Sequence, residues 1–352
     1  MDSVSLEARA RAVLDPAAYD YFAGGADDEV TLAANSEAWR RILLLPHVLR
    51  DVSAVSAGAE VLGIPMTAPI LIAPMAVQKL AHPGGESAMA QAAARTGTVM
   101  VVSTMATISL EDVAASAPDS PRWFQLYCHR GREVTVDLVQ RAQAAGYRAI
   151  VLTVDVPVLS RRRRDEANRF DLPDGMRVEN LATALYSSDG SALAEYTNAS
   201  FDAALTPDDI GWIASIAGLP VIVKGILRAD DALRAVDAGA AAVIVSNHGG
   251  RQLDGAIASA DALPAVAAAV AGRVPVLVDG GIRGGYDVVK AIALGASAVL
   301  VGRPFLWGLA LGGSDGAATV MTELIDELVR TMTLCGVSSI DQIDGDLLAL
   351  PG

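Results

Sequence analysis

Cysteine, lysine and aromatic side chains are scarce among these 352 residues, and each shortage narrows what the chain can be. Two cysteines, Cys128 and Cys335, cannot make a disulfide framework and show no zinc-ligand spacing, so a reducing compartment and no metal are expected. Long apolar runs are also missing: none approaches the ~20 residues of a membrane-spanning helix, and the first residues, with Asp2 and Glu7, lack the apolar core of a signal peptide. The expectation is a soluble, cytoplasmic protein with no membrane partner. Positive charge is short as well. With 27 Lys and Arg against 41 Asp and Glu the net charge is −14, and Arg161 to Arg164 is too brief a run to form a basic stripe, which excludes a nucleic-acid partner. Any anion must be held locally.

Aliphatic residues, by contrast, are plentiful: the chain is 52% hydrophobic and can bury a large core. Short apolar, β-branched segments recur at ILIAP (70–74), VMVVS (99–103), WFQLY (123–127), AIVLTVD (149–155), PVIVKG (220–225), AVIVSN (242–247), PVLVDGG (275–281) and AVLVGR (298–303). Between them lie alanine-rich stretches of helical period, such as Gly85 to Thr96, Val134 to Ala145, Asp230 to Ala238, Ala260 to Ala271 and Tyr286 to Leu294, most closed by a glycine. Strand followed by helix eight times predicts an α/β protein, a (β/α)8 TIM barrel; a doubly wound sheet is the rival, and the count of eight favours the barrel.

Residues 1–65 read as a helical prelude, with one helix around Leu6 to Leu14 and another from about Glu29 to Arg41 capped by an acidic run. Residues 160–206, after the fourth strand, are too long for an ordinary connection and predict an active-site lid, partly mobile. Residues 304–335 predict the last helix and LALPG a tail. No composition break divides 1–352, so one domain is expected.

In a barrel the strand interiors are aliphatic, so the informative residues are polar ones where strands stop. They are Ser103, Gln125 and Tyr127, Thr153 and Asp155, Lys224, Ser246 with His248 and Arg251, Asp279 and Arg303. Ser103 or Thr153 alone could be a turn residue, and Asp155 could simply precede Pro157. Seven strands of eight contributing together predict a site. The stretch SNHGGRQLDG (246–255) puts a base, His248, and a cation, Arg251, on a glycine-bearing turn. Pairing to Asp155 would fix the tautomer of His248 and raise its basicity. Lys224 is one of only three lysines and directly follows a VIV core, so it needs an anionic or carbonyl partner; a Schiff base or electrostatic support of an electron-rich cofactor would both satisfy it. The last two strands end in DGGIRGG and GRP, where barrels commonly hold phosphate; Gly280, Gly281 and Gly302 allow close approach, and Arg283 and Arg303 would neutralise it. Without a dinucleotide fingerprint, this suggests a mononucleotide cofactor or a phosphorylated substrate.

From YDYFAGGADD to GRPFLWGLALGG the chain resembles the FMN-dependent 2-hydroxy acid oxidase and dehydrogenase family, through SNHGGRQLDG, VKGI, DGGIR and TVDVP at these spacings. The resemblance implies FMN as cofactor, with Lys224 beside the flavin as an electrostatic group. By the same likeness Pro74, Met75 and Ala76 line the flavin, Ser103, Gln125 and Thr153 hydrogen-bond its ring, and Ser246 is a further cofactor-binding residue. It further implies that Asp279 contacts the ribityl chain, and that Arg283 and Arg303 hold the phosphate beside Gly281 and Gly302. His248 would be the base, oriented by Asp155; Tyr21, Arg162 and Arg251 would bind the substrate carboxylate and Tyr127 its hydroxyl. A homotetramer is implied too, with oxygen or another electron acceptor as second substrate.

The chain departs from glycolate-type members at Met75, at Met105, where they place a bulky Trp, and at Ser160. A wider, more apolar pocket and a mandelate-like (S)-2-hydroxy acid follow, unless Met105 merely fills core. L-Lactate or glycolate oxidation, and isomerisation of a phosphorylated substrate on an FMN barrel, are the alternatives.

Overall fold

The computed structural model of this chain describes residues 3–181 and 199–349. Eight parallel strands close into a barrel: β1 (Ile70–Ile72), β2 (Met100–Ser103), β3 (Arg122–Leu126), β4 (Ile150–Thr153), β5 (Val221–Ile226), β6 (Ala242–Val245), β7 (Val276–Asp279) and β8 (Ala298–Val301), with β8 returning to β1. A helix follows each strand: Gly85–Thr96, Leu110–Ser116, Arg132–Ala144, Asp208–Ala217, Ala229–Asp237, Ser259–Val270, Gly285–Ala293 and Arg303–Cys335. The last is broken at Gly312 and Gly313, whose dihedrals are not helical, a common cause of a sharp kink.

Alternation along each strand sorts the side chains. Leu71, Val101, Trp123, Val151, Ile222, Ile244, Leu277 and Leu300 form one cluster inside the barrel, while Val102, Phe124, Leu152, Val223 and Val278 face the helices in another. The antiparallel hairpin Ala59–Val61 with Ile64–Met66 adds Val61 and Met66 to the inner cluster. It thereby plugs the end where the strands begin. Two residues further along, on the same inward face, stand Ala73, Ser103, Gln125, Thr153, Lys224, Ser246, Asp279 and Gly302, six of them polar. The register sets Ser103 opposite Gln125 and Thr153 opposite Lys224. The apolar layers therefore carry one polar layer at the carboxyl end.

Two expectations need correction. The acidic run does not cap the helix Val30–Arg41: Glu29 makes no side-chain cap bond, and the free N–H groups of Asp28 and Thr31 donate instead to Asp254, 3.0 and 2.8 Å away. A carboxylate more than 200 residues away serves that helix end better than one constrained by its own turn. Nor is the first part of the expected tail LALPG unpaired, because Leu348–Ala349 pairs antiparallel with Leu43–Leu44, while 350–352 lie outside the described residues.

Of the long segment after β4, Arg163–Asn168 is helical and Glu179–Leu181 makes a short 3-10 turn, while 182–198 lies outside the described residues. The expected mobility falls partly on that stretch. The return leg is docked: Ser200 O accepts from Arg130 N at 2.8 Å and Cys128 O from Asp202 N at 2.9 Å. Among the described residues no helix is long and apolar enough to cross a membrane.

Candidate active site

The polar layer is internally bonded. Ser103 Oγ donates to Gln125 Oε1 (3.2 Å), and Gln125 Nε2 donates to Thr153 Oγ1 (3.0 Å). Lys224 Nζ donates to Ser246 Oγ at 2.9 Å and lies 3.2 Å from Asp279 Oδ2. Burial works against the ammonium charge, but Asp279 and then Asp155 hold the Lys224 pKa above its ordinary value. The charge on Lys224 is thus built in.

Above this layer His248 sits between a carboxylate and the open space. Its Nδ1 lies 3.0 Å from Asp155 Oδ1, so Nδ1 carries the proton that donates to the carboxylate, leaving Nε2 as a free lone pair. Nε2 faces the Tyr127 hydroxyl at 3.4 Å. Burial is the largest influence on the imidazole and lowers its pKa, with Asp155 pulling the other way. Burial also opposes charge on Asp155, yet His248 and Lys224 keep its carboxyl below the usual range. The result is a neutral imidazole held by an ionised carboxylate.

Arg251 comes from the same turn. Its Nη1 donates to the carbonyls of Tyr21 and Gly24, both at 2.7 Å, and the guanidinium lies 5.2 Å from the centre of the Tyr21 ring. Burial, then the charge of Arg162, pushes its pKa down to about 10. Among the described residues the Arg162 Nε has no hydrogen-bond partner. Two partly buried guanidinium groups and a tyrosine therefore face one space, an arrangement suited to a carboxylate.

At the other end Arg303 donates to the carbonyls of Phe22, Gly249 and Gly24 at 2.9, 3.2 and 3.1 Å. Burial pushes its pKa down to about 9, with repulsion from Arg251 and Arg283 adding to the effect. Arg283 is lowered too, chiefly by burial. A guanidinium keeps its proton, so these are charges held in a buried place. Among the described residues none of Arg251, Arg283 and Arg303 makes an ion pair within 4 Å. The loop beside them is framed by the prelude: Trp39 Nε1 donates to Gly280 O at 2.8 Å, and a Cβ at Gly281 would meet the Asn35 carbonyl oxygen at 2.2 Å, so only glycine fits. Asp287 Oδ2 accepts from the N–H groups of Arg283 and Gly284 at 2.9 and 3.1 Å.

These groups line one cavity of about 500 Å³. It brings together Tyr21, Pro74, Met75, Ala76, Ser103, Met105, Gln125, Tyr127, Thr153, Arg162, Lys224, His248, Arg251, Asp279, Gly281, Arg283, Gly302 and Arg303. Asp155 and Ser246 are not on its wall: Asp155 stands behind His248, and the Ser246 hydroxyl is spent on Lys224 and the His248 N–H. The Ser246 hydroxyl thus supports both residues. Met105 is 6% exposed yet lines the cavity, so it belongs to the pocket as well as to the core.

Sequence reasoning missed the aromatic contributions of the long loop. Phe170 stacks on Tyr21 at 4.5 Å and Phe201 on Tyr127 at 4.6 Å, both at the cavity. A signal existed, since the chain has only five phenylalanines and two of them stand in this otherwise polar excursion. The carbonyls of Tyr21, Phe22 and Gly24 leave no such mark.

The residues present suit FMN. Arg283 and Arg303, near the starts of two helices, can take a phosphate, Asp279 Oδ1 is buried without a hydrogen-bond partner among the described residues and can accept from a hydroxyl, and the polar layer offers donors and acceptors to a heterocycle.

The comparisons agree. Residues 10–350 match the family model described as FMN-dependent dehydrogenase. The chain is 51% identical over 352 residues to an L-lactate oxidase of Nostoc sp., covering 98% of this chain and 96% of that protein. It is 46% identical to glycolate oxidase 1 of Oryza sativa subsp. indica, covering 98% and 96%. The solved structure of mandelate oxidase with (S)-4-hydroxymandelic acid superposes with a TM-score of 0.92 at 43% identity, over 99% of this chain and 98% of that one. With the barrel, the charged cradle and these matches together, the chain belongs to the FMN-dependent dehydrogenase family and is an oxidoreductase of 2-hydroxy acids.

Proposed function

We propose that the protein oxidises an (S)-2-hydroxy acid with an aromatic or bulky apolar side chain to the 2-oxo acid, with oxygen as final acceptor. The observation that carries the substrate class is the apolar wall of Met105, Val156, Leu159, Phe170 and Phe201 beside the Arg251, Arg162 and Tyr21 group. An aromatic tail would replace water against that wall, while a carboxylate would neutralise the guanidinium pair. The names of relatives called oxidases support oxygen as acceptor.

In this reading Arg251 and Arg162 hold the carboxylate and Tyr127 the hydroxyl, which sets the α-carbon near Nε2 of His248. Bound FMN supplies the acceptor for the two electrons that leave the substrate. His248 takes a proton on Nε2, whether from the α-carbon or from the hydroxyl, and Asp155 stabilises the imidazolium that forms. The charge of Lys224 favours negative charge in the polar layer. Ser103, Gln125 and Thr153 would hold the ring, and Arg283 and Arg303 the phosphate.

A second reading is L-lactate oxidation, favoured by the 51% identity to the Nostoc enzyme. Anaerobic mixing of the yellow protein with glycolate, L-lactate and (S)-mandelate, followed by flavin bleaching, separates the two. Faster bleaching by (S)-mandelate is expected; faster bleaching by L-lactate would give the second reading.

A further inference from the structure

His248, Gly249 and Gly250 have φ values of 60°, 65° and 76°, three consecutive residues in the left-handed region. Glycine adopts it freely, but histidine does so only at a cost, and such a backbone persists where its surroundings over-determine it. The support comes from the residue just before the run. Asn247, 4% exposed, donates through Nδ2 to Asn35 Oδ1 at 2.8 Å and to Ile257 O at 3.0 Å. Its Oδ1 accepts from Asn35 Nδ2 at 2.9 Å and from Gly250 N at 3.1 Å. Asn35, 2% exposed, also accepts at Oδ1 from Ser259 N at 3.3 Å. Two buried amides 212 residues apart thus bond each other reciprocally, and one of them closes the turn that carries His248. Neither lines the cavity.

The residue type matters. A primary amide presents a donor and an acceptor side by side without needing a proton, whereas an ionised carboxylate would lack the donor and an aliphatic side chain both. Two apolar residues would fill the same volume equally well. Retaining a polar pair here makes sense if its task is to fix one backbone geometry.

We propose that Asn35 and Asn247 are positioning residues for His248: their reciprocal amide pair locks the left-handed turn so that Nε2 faces the cavity while Nδ1 stays on Asp155. The helix Val30–Arg41 then acts in the reaction through the base it steadies. This rests on the reading of His248 as that base.

The test uses FMN-loaded Asn35→Ala, Asn247→Ala and the double variant, with Asn35→Ser as a milder change should either alanine variant not fold. Substrate-driven flavin reduction at saturating substrate, counted per bound FMN, is expected to slow by about 10- to 100-fold in each single variant, the scale of a small misplacement of a reacting group. KM should stay within about two-fold and FMN affinity near native, because neither residue touches ligand. The double variant should be no slower than the singles, since breaking either half breaks the pair. The ¹⁵N shifts of the His248 ring, one of four histidines, should lose the signature of the Nδ1–H tautomer. Native reduction rates per bound FMN, with only lower Tm or lower FMN content, would overturn the proposal and leave the pair a packing feature; so would effects that multiply in the double variant. His248→Ala run alongside separates the two levels. If it is slow while the asparagine variants are native, this inference alone falls; if it reduces its flavin at the native rate, the base reading falls first.

Discussion

Nζ of Lys224 lies 3.2 Å from Oδ2 of Asp279, with both side chains under a tenth exposed, while Oδ1 of the same aspartate has no hydrogen-bond partner among the described residues. One carboxylate therefore faces two ways: one oxygen stabilises the lysine charge from below the site, and the other is left for a ligand hydroxyl. Removing either partner strands a buried charge.

Lys224→Met should accordingly do more than remove positive charge near the cofactor. Breaking a buried pair typically costs about 3 to 5 kcal/mol, so thermal stability should fall, and Lys224→Met with Asp279→Asn should recover much of it. The flavin midpoint potential should drop in both variants. A potential unchanged from native would remove Lys224 from the cofactor.

His248→Ala is expected to retain FMN and the fold while slowing flavin reduction by roughly 10² to 10⁴, the range for a lost general base. Anaerobic stopped-flow mixing measures it directly.

The pH dependence follows from the same residue. Only neutral imidazole can take a proton, and burial lowers the His248 pKa below its ordinary value of 6.5, so kcat/KM should lose its acid side at a pH below 6.5. Asp155 opposes that lowering; Asp155→Asn should therefore move the acid limb to still lower pH while reducing the rate. A limb displaced upward would contradict the assignment.

Met105→Trp should fill part of the apolar wall and shift the ratio of kcat/KM values from (S)-mandelate towards glycolate. An unchanged ratio would confine Met105 to core packing.

Arg303→Lys keeps the charge but loses the fork that reaches three backbone carbonyls and still faces the cavity. FMN affinity, measured by titrating stripped protein, should weaken by about 10- to 100-fold, with KM for the hydroxy acid little changed.

Much of this protein is written locally. Short apolar segments specified eight strands because each strand buries both of its faces, and the polar residues where those segments stop marked the polar layer at Ser103, Gln125, Thr153, Lys224 and Asp279. The motif from Ser246 to Asp254 marked the turn carrying His248 and Arg251 because its glycines and polar residues have few other uses together. What only the tertiary structure decided is pairing across the chain. Lys224 requires an anion, but nothing nearby in sequence says that it is Asp279; Asp254 serves a helix end near Asp28, and Asn35 meets Asn247 only once the prelude packs against the closed barrel. Arg251 and Arg303 are held by carbonyls of residues 21 to 24, groups that every residue possesses and no residue type announces. Local periodicity depends on neighbours a few residues apart and is legible in order, whereas these contacts depend on which surfaces meet when the barrel closes, and that is fixed by packing of the whole chain.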